Sequence, residues 1–138
     1  LHVGPGTFLP IRSEKIESHR MHEEWCTVSP KVFRAVKLAH HGGKRVVAVG
    51  TTVVRALETA ARLGNEEKGF SGWTDLFIFP PFEFKWVNAL VTNFHLPKST
   101  LLVLVCAFAG RERILKAYKE AVSRRFRFYS YGDCMLIF

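Results

Sequence analysis

The 138-residue chain lacks several features that define large classes of protein. It has only three cysteines, Cys26, Cys106 and Cys134, which are odd in number, lie far apart and form no Cys-x-x-Cys pair. Neither a disulfide framework nor a zinc site is indicated, and a reducing, cytoplasmic location is expected. The longest apolar run, at residues 101–109, is too short for a membrane-spanning helix, which needs roughly twenty residues.

Acidic residues are also in deficit. Twelve Asp and Glu stand against twenty Lys and Arg, which gives a formal net charge of +8. This excess favours an anionic partner such as nucleic acid or a phosphorylated ligand, although solubility alone explains it equally well. No segment has the pattern of a signal peptide, an internal repeat, a Gly-rich dinucleotide fingerprint or a GxxxxGK phosphate loop. Length and apolar content predict one domain over residues 1–138.

The apolar run follows a polar turn at residues 92–100. Ser99 or Thr100 can accept the free N–H groups of a helix that begins near Lys98, and Gly110 is a natural end for it. A helix that is apolar on every face is typical of a protein interior. The polar residues before it are therefore predicted to lie at the positive end of a helix dipole.

A second polar turn, Gly50-Thr51-Thr52, follows the continuous β-branched run at residues 46–49, which is typical of a buried strand. Another predicted strand, at residues 84–91, ends in the first turn. If these strands are parallel, both turns lie at the carboxyl edge of one sheet, where open α/β folds bind ligands. Backbone N–H groups and hydroxyls there suit a carboxylate, a ribose or a phosphate, and helix capping explains the same residues without a ligand.

The other segments predict further elements. A tight turn is expected at Gly4, Pro5 and Gly6, and a polar loop at residues 64–72. Further helices are predicted at residues 30–41, after Thr52 with a Glu58–Arg62 pair, and at 111–125 with Ile114, Leu115, Tyr118 and Val122 inward. Strands are predicted at 75–79 and 134–138. A helix is also considered for residues 13–24.

Two of these segments carry an alternative interpretation. A helix over residues 13–24 would bring His19 and His22 to one face, where with Glu23 they could form the metal site of a hydrolase, although surface histidines are common. Arginines and aromatics interleave near the end of the chain. They could stack on bases and hold phosphates, or form a half-buried strand with a basic outer face. The residues concerned are Arg124, Arg125, Arg127, Tyr129 and Tyr131.

Five long motifs resemble the S-adenosylmethionine:tRNA ribosyltransferase-isomerase family of queuosine biosynthesis, in its C-terminal portion. The resemblance implies an α/β three-layer sandwich with a mostly parallel or mixed sheet, within a larger two-domain enzyme whose inserted β-barrel domain is absent from this chain. Asn88 stands where the family generally has Asp, and Pro81 where a Pro-Gly turn is usual. The motifs are LHVGPGTF (1–8), HRMHEEW (19–25), VVAVGTTVVRALE (46–58), TNFHLPKSTLLVLVCAFAG (92–110) and FRFYSYGDCMLI (126–137).

The resemblance also implies a reaction. Family members transfer the ribosyl part of S-adenosylmethionine to 7-aminomethyl-7-deazaguanine at the wobble position of tRNA and isomerise it to epoxyqueuosine, releasing adenine and methionine. S-adenosylmethionine is thus a substrate, no cofactor is expected, and the partner is tRNA carrying the deazaguanine precursor, bound by a monomer. The alternative is a truncated or degenerate module that binds tRNA or ligand without catalysis.

Such a reaction needs a base beside the sulfonium, an acid for the departing adenine and groups that stabilise charge. Catalytic candidates within the motifs are His95 and Glu58, followed by His22, Glu23 and Asp133, the last of which also suits a turn. The candidates for binding the ribose or methionyl end are Gly50, Thr51, Thr52, Asn93, Ser99 and Thr100, with Arg55 as a carboxylate or phosphate partner.

Overall fold

The computed structural model describes residues 2–4 and 10–138. Strands and helices alternate along much of the chain, as expected of an α/β fold. A short 3-10 turn, Ile16–Ser18, precedes the first strand. The strands are β1 (Glu24–Val28), β2 (Val47–Val49), β3 (Phe70–Thr74), β4 (Ala89–Asn93) and β5 (Cys134–Ile137), and the helices are α1 (Pro30–His41), α2 (Thr51–Leu63), α3 (Thr100–Ala109) and α4 (Arg111–Ser123).

Capping serines set the starts of two helices. The Ser29 hydroxyl accepts the N–H of Val32 at 3.3 Å, with Pro30 in the first turn of α1. The Ser99 hydroxyl accepts the N–H of Leu102 at 3.1 Å at the start of α3. Each bond satisfies an amide that a helix start leaves without an acceptor. The caps predicted for these helices are confirmed.

Three strands form a mixed sheet in the order β2-β4-β5. β2 runs parallel to β4, with Val49 opposite Val91, and β5 runs antiparallel to β4, with Leu136 opposite Val91. The predicted α/β class and mixed sheet are confirmed. Because β2 and β4 are parallel, the chain leaves both strands at the same edge, and the two polar turns follow there as predicted.

The hydrophobic core lies on one face of this sheet. Ala48 and Leu90, which are opposite each other in the ladder, belong to one buried cluster with side chains of α2, α3 and α4. The apolar run forms α3, whose Leu104 and Val105 are buried in that cluster. On the other face of the sheet, Val49 is 67% exposed. Within the described residues, no helix is long and apolar enough to span a membrane.

The helix considered for residues 13–24 does not form. Apart from the 3-10 turn the segment is irregular, and Glu24 begins β1, which pairs antiparallel with β3. In β1, Glu24, Cys26 and Val28 are buried while the residues between them are exposed, which is the two-residue period of a strand. Trp25 packs edge-on against Trp73 across the ladder, with ring centroids 5.6 Å apart. Pairing between β1 and β3 therefore stabilises a strand at the end of this segment, and the spacing of His19 and His22 does not produce a helix.

Other boundaries also differ from the predictions. β3 begins inside the predicted loop at residues 64–72, and residues 75–79 lie in no strand. In α4, Val122 is exposed and Ala121 takes the inward position. The stretch after α4 is not a strand, because it turns repeatedly. Arg125 and Tyr129 have positive φ angles of 59° and 71°.

Position 88 lies at the amino end of β4, opposite the edge with the polar turns. The Asn88 side-chain oxygen accepts the N–H of Val46 at 2.9 Å, and the Asn88 N–H donates to the Val46 carbonyl at 3.0 Å. The side chain therefore fixes the start of β2 beside β4. Of the turn predicted at residues 4–6, Pro5 and Gly6 lie outside the described residues.

Candidate functional site

A cavity of about 300 Å³ lies at the carboxyl edge of the mixed sheet, between the two polar turns. The turns are tied together where the Gly50 N–H donates to the carbonyl of Val91 at 2.8 Å. Parallel pairing thus brings segments more than forty residues apart to one site. The walls are formed by Pro10, Gly50, Thr51, Thr52, Thr92, Asn93, His95, Leu96, Pro97, Ser99, Leu101, Tyr129 and Ser130.

Most of the predicted binding residues border this cavity. Thr100 is buried at the start of α3 and does not line it. Thr92, Pro10 and Ser130 line it but were not among the predicted binding residues. The predicted residues that the structure brings together here are Gly50, Thr51, Thr52, Asn93, His95 and Ser99, with Tyr129 from the basic segment.

Gly50 allows the abrupt change from β2 to α2. Its φ of 101° and ψ of 143° lie in a region that is essentially restricted to glycine. An added Cβ would meet only the Thr52 hydroxyl, at 3.7 Å, so the requirement is conformational and not one of space. The turn therefore places the start of α2 directly against the cavity.

His95 is held from two sides in the cavity wall. Its Nε2 lies 2.9 Å from the Thr92 hydroxyl, and its backbone N–H donates to the hydroxyl of Tyr118 at 2.9 Å. Burial lowers the pKa of His95 to about 4, so the ring is neutral near pH 7. A neutral imidazole has one donor and one acceptor nitrogen, which suits proton transfer or hydrogen bonding to a ligand.

Tyr118, on α4, anchors this turn, and sequence reasoning treated it only as an inward helical residue. Burial raises the pKa of Tyr118 to about 12, so its hydroxyl stays protonated. Its ring packs edge-on against Phe94 and Phe128, with centroids 5.2 and 5.8 Å away. The Phe94 carbonyl accepts the N–H of Tyr129 at 3.0 Å. An aromatic cluster therefore joins the His95 turn to the basic segment.

Asn93 and Asp133 hold the far end of that segment. The Asn93 side-chain amide donates to the carbonyls of Gly132 and Asp133 at 3.4 and 3.3 Å. The Asp133 carboxylate accepts the N–H of Arg127 at 2.7 Å and does not line the cavity. Of the two interpretations of Asp133, the structure favours the turn residue.

Glu58, a predicted catalytic acid or base, lies on α2 and does not line the cavity. It is 0% exposed. The two carboxylate oxygens accept the backbone N–H groups of Lys85, Trp86 and Val87 at 2.9, 2.9 and 3.0 Å. Arg62 also donates to the carboxylate, at 2.6 Å, as the four-residue spacing predicts. A carboxylate enclosed by four donors cannot reach a substrate, so its role is to brace the segment before β4.

Arg55 is likewise enclosed and does not line the cavity, contrary to the predicted role as an anion partner. It forms a buried ion pair with Glu24 and donates from Nε to the Leu76 carbonyl at 3.1 Å. Glu24 also accepts the N–H of Gly4 at 2.9 Å. Glu24 was not among the predicted functional or buried residues. Its two-residue spacing from Cys26 places both on the buried face of β1, and this spacing was the pattern that could have identified it.

The remaining acid–base candidates lie elsewhere. His22 and Glu23 are exposed before β1 and do not border the cavity. The His19 ring packs against Phe77, with centroids 5.0 Å apart, and no helix brings it beside His22. Across residues 2–4 and 10–138, no group of three His, Cys, Asp or Glu side chains is arranged to hold a metal ion.

The basic segment after α4 is exposed and adjoins the cavity. Its arginines at 124, 125 and 127 are all exposed. Tyr131 is 96% exposed, and Tyr129 is exposed at 52% while also lining the cavity with Ser130. A charged and aromatic surface, defined as residues 124–131 and called the basic strip below, therefore continues into the pocket.

Comparison with known proteins identifies relatives along nearly the whole chain. A sequence model of the family described as "Queuosine biosynthesis protein" matches residues 1–137. The S-adenosylmethionine:tRNA ribosyltransferase-isomerase of Thermotoga maritima is 59% identical over 137 residues, covering 99% of this chain and 41% of the relative. The enzyme of the same name from Coxiella burnetii (strain CbuG_Q212) is 58% identical, covering 99% and 40%.

This chain also resembles a solved structure. The crystal structure of S-adenosylmethionine tRNA ribosyltransferase from Thermotoga maritima matches with a TM-score of 0.79 and 58% identity, over 83% of this chain and 40% of that one. The chain therefore spans about two fifths of the length of the relatives it matches.

Proposed function

The chain belongs to the family of queuosine biosynthesis proteins, and from this premise we propose that it provides the substrate cavity and part of the tRNA-binding surface of an S-adenosylmethionine:tRNA ribosyltransferase-isomerase. The relatives' shared name supports the reaction class. Because the chain spans about two fifths of their length, the proposal concerns the steps that its own residues can perform.

In the proposed reaction, the ribosyl part of S-adenosylmethionine is transferred to 7-aminomethyl-7-deazaguanine at the tRNA wobble position. The product is epoxyqueuosine, and adenine and methionine leave. S-adenosylmethionine is consumed as a substrate, so the reaction needs no separate cofactor. We place this reaction in the cytoplasm, where reducing conditions keep the three free cysteines reduced.

One observation carries the proposal: the cavity and the basic strip share a border at Tyr129 and Ser130. A modified base that enters the cavity remains attached to its RNA, so a surface for phosphates and neighbouring bases must lie at the cavity mouth. Exposed arginines neutralise phosphates, and exposed tyrosines stack on unpaired bases. The excess positive charge of the chain agrees with such a partner.

Within the cavity, His95 is the group suited to proton transfer. The reaction requires a base for the acidic proton beside the sulfonium. Burial keeps His95 neutral near pH 7, and Thr92 and Tyr118 fix the ring and its backbone. Of the other predicted acid–base residues, none lines the cavity. We therefore assign the base to His95 in the proposed mechanism.

The test uses a chimaera in which this chain replaces the matching segment of the Thermotoga maritima relative. Adenine release is measured with S-adenosylmethionine and tRNA that carries the deazaguanine precursor. We expect release by the chimaera and a loss of at least about 100-fold in His95→Gln, the usual contribution of a general base. His41→Gln, at an exposed position on α1, is the matched control. Undiminished release by His95→Gln would refute the assignment of the base.

A binding module without catalysis is the second candidate, because the chain carries the basic strip but spans two fifths of its relatives. Retained tRNA binding without adenine release, in both the chain and the chimaera, would support it. Replacing the arginines at 124, 125 and 127 by Ala should lower tRNA affinity and reduce the salt slope by about 2. The control replaces Arg113, Lys116 and Lys119, which are exposed on α4, and removes the same charge.

A further inference from the structure

The first turn of α2 presents hydrogen-bond donors to the cavity. The helix has no side-chain cap, and its first intrahelical bond runs from the Val54 N–H to the Gly50 carbonyl at 3.3 Å. The amides of residues 51–53 precede that bond and have no acceptor within the helix. Together with the helix dipole they favour a negatively charged ligand.

Thr51 gives independent evidence for a ligand. It is only 6% exposed and lines the cavity, yet its hydroxyl forms no hydrogen bond with residues 2–4 or 10–138. The hydroxyl is not sealed off, because in that part of the chain Ser13 has the only fully enclosed side-chain oxygen without a partner. An accessible hydroxyl without a protein partner can both donate and accept a hydrogen bond. The Thr51 hydroxyl is therefore available to a ligand in the cavity that the residue lines.

The character of the cavity indicates which anion fits. Amides and a hydroxyl supply the donors, and no lysine or arginine is among the described residues that line the walls. The exposed arginines lie on the basic strip, where RNA phosphates would be held. Neutral donors at a helix start suffice for a singly charged carboxylate.

We propose that Thr51 and the first turn of α2 bind the carboxylate of the methionyl group of S-adenosylmethionine. The inference rests on the proposed function, which identifies S-adenosylmethionine as the ligand. It adds the subsite that binds the methionyl end of that ligand. Thr51 is then a binding residue for the part of the substrate that leaves as methionine, and His95 acts on the opposite turn of the same cavity.

The test measures binding by calorimetry with two stable ligands. S-adenosylhomocysteine carries the carboxylate, whereas 5′-methylthioadenosine keeps the nucleoside and lacks the amino-acid end. Thr51→Val should weaken S-adenosylhomocysteine by about 10-fold, as expected for a hydrogen bond to a charged group. It should leave the affinity for 5′-methylthioadenosine unchanged. Thr27→Val, at an exposed position of β1, is the matched control and should change neither affinity.

A measurement on the unaltered chain supports the same conclusion without a variant. The carboxamide of S-adenosylhomocysteine, which has no negative charge, should bind about 10-fold more weakly than the parent compound. Inorganic phosphate is added as a competitor to separate the two sources of an anion. The carboxylate proposal is overturned if phosphate competes with S-adenosylhomocysteine and the carboxamide binds as tightly as S-adenosylhomocysteine. That result would assign the turn to an RNA phosphate.

The outcomes separate this inference from the proposed function. If S-adenosylhomocysteine binds but Thr51→Val weakens both nucleosides equally, or neither, the carboxylate subsite is refuted and the proposed function stands. If neither nucleoside binds the chain or the chimaera, the proposed function fails, and the subsite fails with it.

Discussion

Two buried threonines on α2 have opposite surroundings. Thr59, which is 2% exposed, shares a hydrogen bond of 2.7 Å with the Thr74 hydroxyl of β3. Thr51, which is 6% exposed, lines the cavity without a hydrogen-bond partner in the described chain. Thr59 therefore joins α2 to β3, whereas Thr51, at the start of the same helix, borders the cavity.

The charged residues of α2 extend this difference. Arg55 and Glu58 are both enclosed, and each contacts several groups of the protein. Burial alone does not mark a functional group, because a buried polar side chain with protein partners is structural. A buried polar side chain that borders a cavity and has no such partner is available to a ligand. The amino-terminal turn of α2 meets that criterion, and the remainder of the helix does not.

The largest expected effect is at Glu58. Glu58→Ala leaves three backbone amides without their acceptor and removes the carboxylate that pairs with Arg62, and it should lower the free energy of unfolding by about 3–5 kcal/mol. Urea unfolding at pH 7 measures the change. The control is Glu120→Ala, because Glu120 pairs with Arg124 at the same four-residue spacing on the surface. It should cost about 0.5 kcal/mol or less. Equal effects would contradict the structural assignment of Glu58.

The two threonines provide the next comparison. Thr59→Val leaves the buried Thr74 hydroxyl without this partner, and it should destabilise the fold by about 1–3 kcal/mol. Thr51→Val removes a hydroxyl that has no protein partner and should change stability by less than about 0.5 kcal/mol. Thermal unfolding of both variants tests this. A large loss in Thr51→Val would show that its hydroxyl has a structural role.

Gly50→Ala tests the turn itself. Because φ is 101° at Gly50, an alanine there is strained, and we expect a destabilisation of about 1–3 kcal/mol. Gly43→Ala is the control. Gly43 has a φ of 64° and open space around it, so the cost there should lie at the lower end of this range. If Gly50→Ala is as stable as the parent protein, the unusual backbone at Gly50 is not required.

The pH dependence from His95 is a further test of the cavity wall. Its pKa of about 4 lies below the ordinary value of 6.5. Between pH 6.5 and pH 4 the unfolded chain takes up a proton that the folded chain does not, so stability is lost as the pH falls through this window. His95→Gln should make that loss smaller, and above pH 7 its stability should run parallel to that of the parent. Urea unfolding at intervals from pH 8 to pH 4 checks this, and an unchanged slope would contradict it.

Much of the site was predictable because local patterns set it. The β-branched run at residues 46–49 predicts a buried strand, and glycine followed by two threonines predicts its turn into a helix. Ser99 before the apolar run predicts the start of α3. The structure confirms the strand, its turn, the start of α3 and the shared edge of β2 and β4. The predicted burial of this strand is wrong for one face, because Val47 and Val49 are exposed and only Ala48 is buried. The assignment of ligand-binding roles at that edge stays a prediction.

The small sheet was less predictable, since its strands depend on each other. β3 contains Gly72 and lies in a stretch whose composition favours a loop. Its partner β1 contains Glu24, a charged residue that can be buried there because Arg55 pairs with it from α2. Neither strand has a strong signal in isolation. Their pairing stabilises both, and that contact joins residues far apart in the sequence.

The caps of α1 and α3 and the two polar turns follow from neighbouring residues, and for that reason they could be predicted from the sequence. Contacts between distant elements set which polar side chains are available to a ligand. Glu58 and Thr51 lie seven positions apart in one motif and are both buried. Whether each has a protein partner depends on residues from other elements, and no local pattern contains that information.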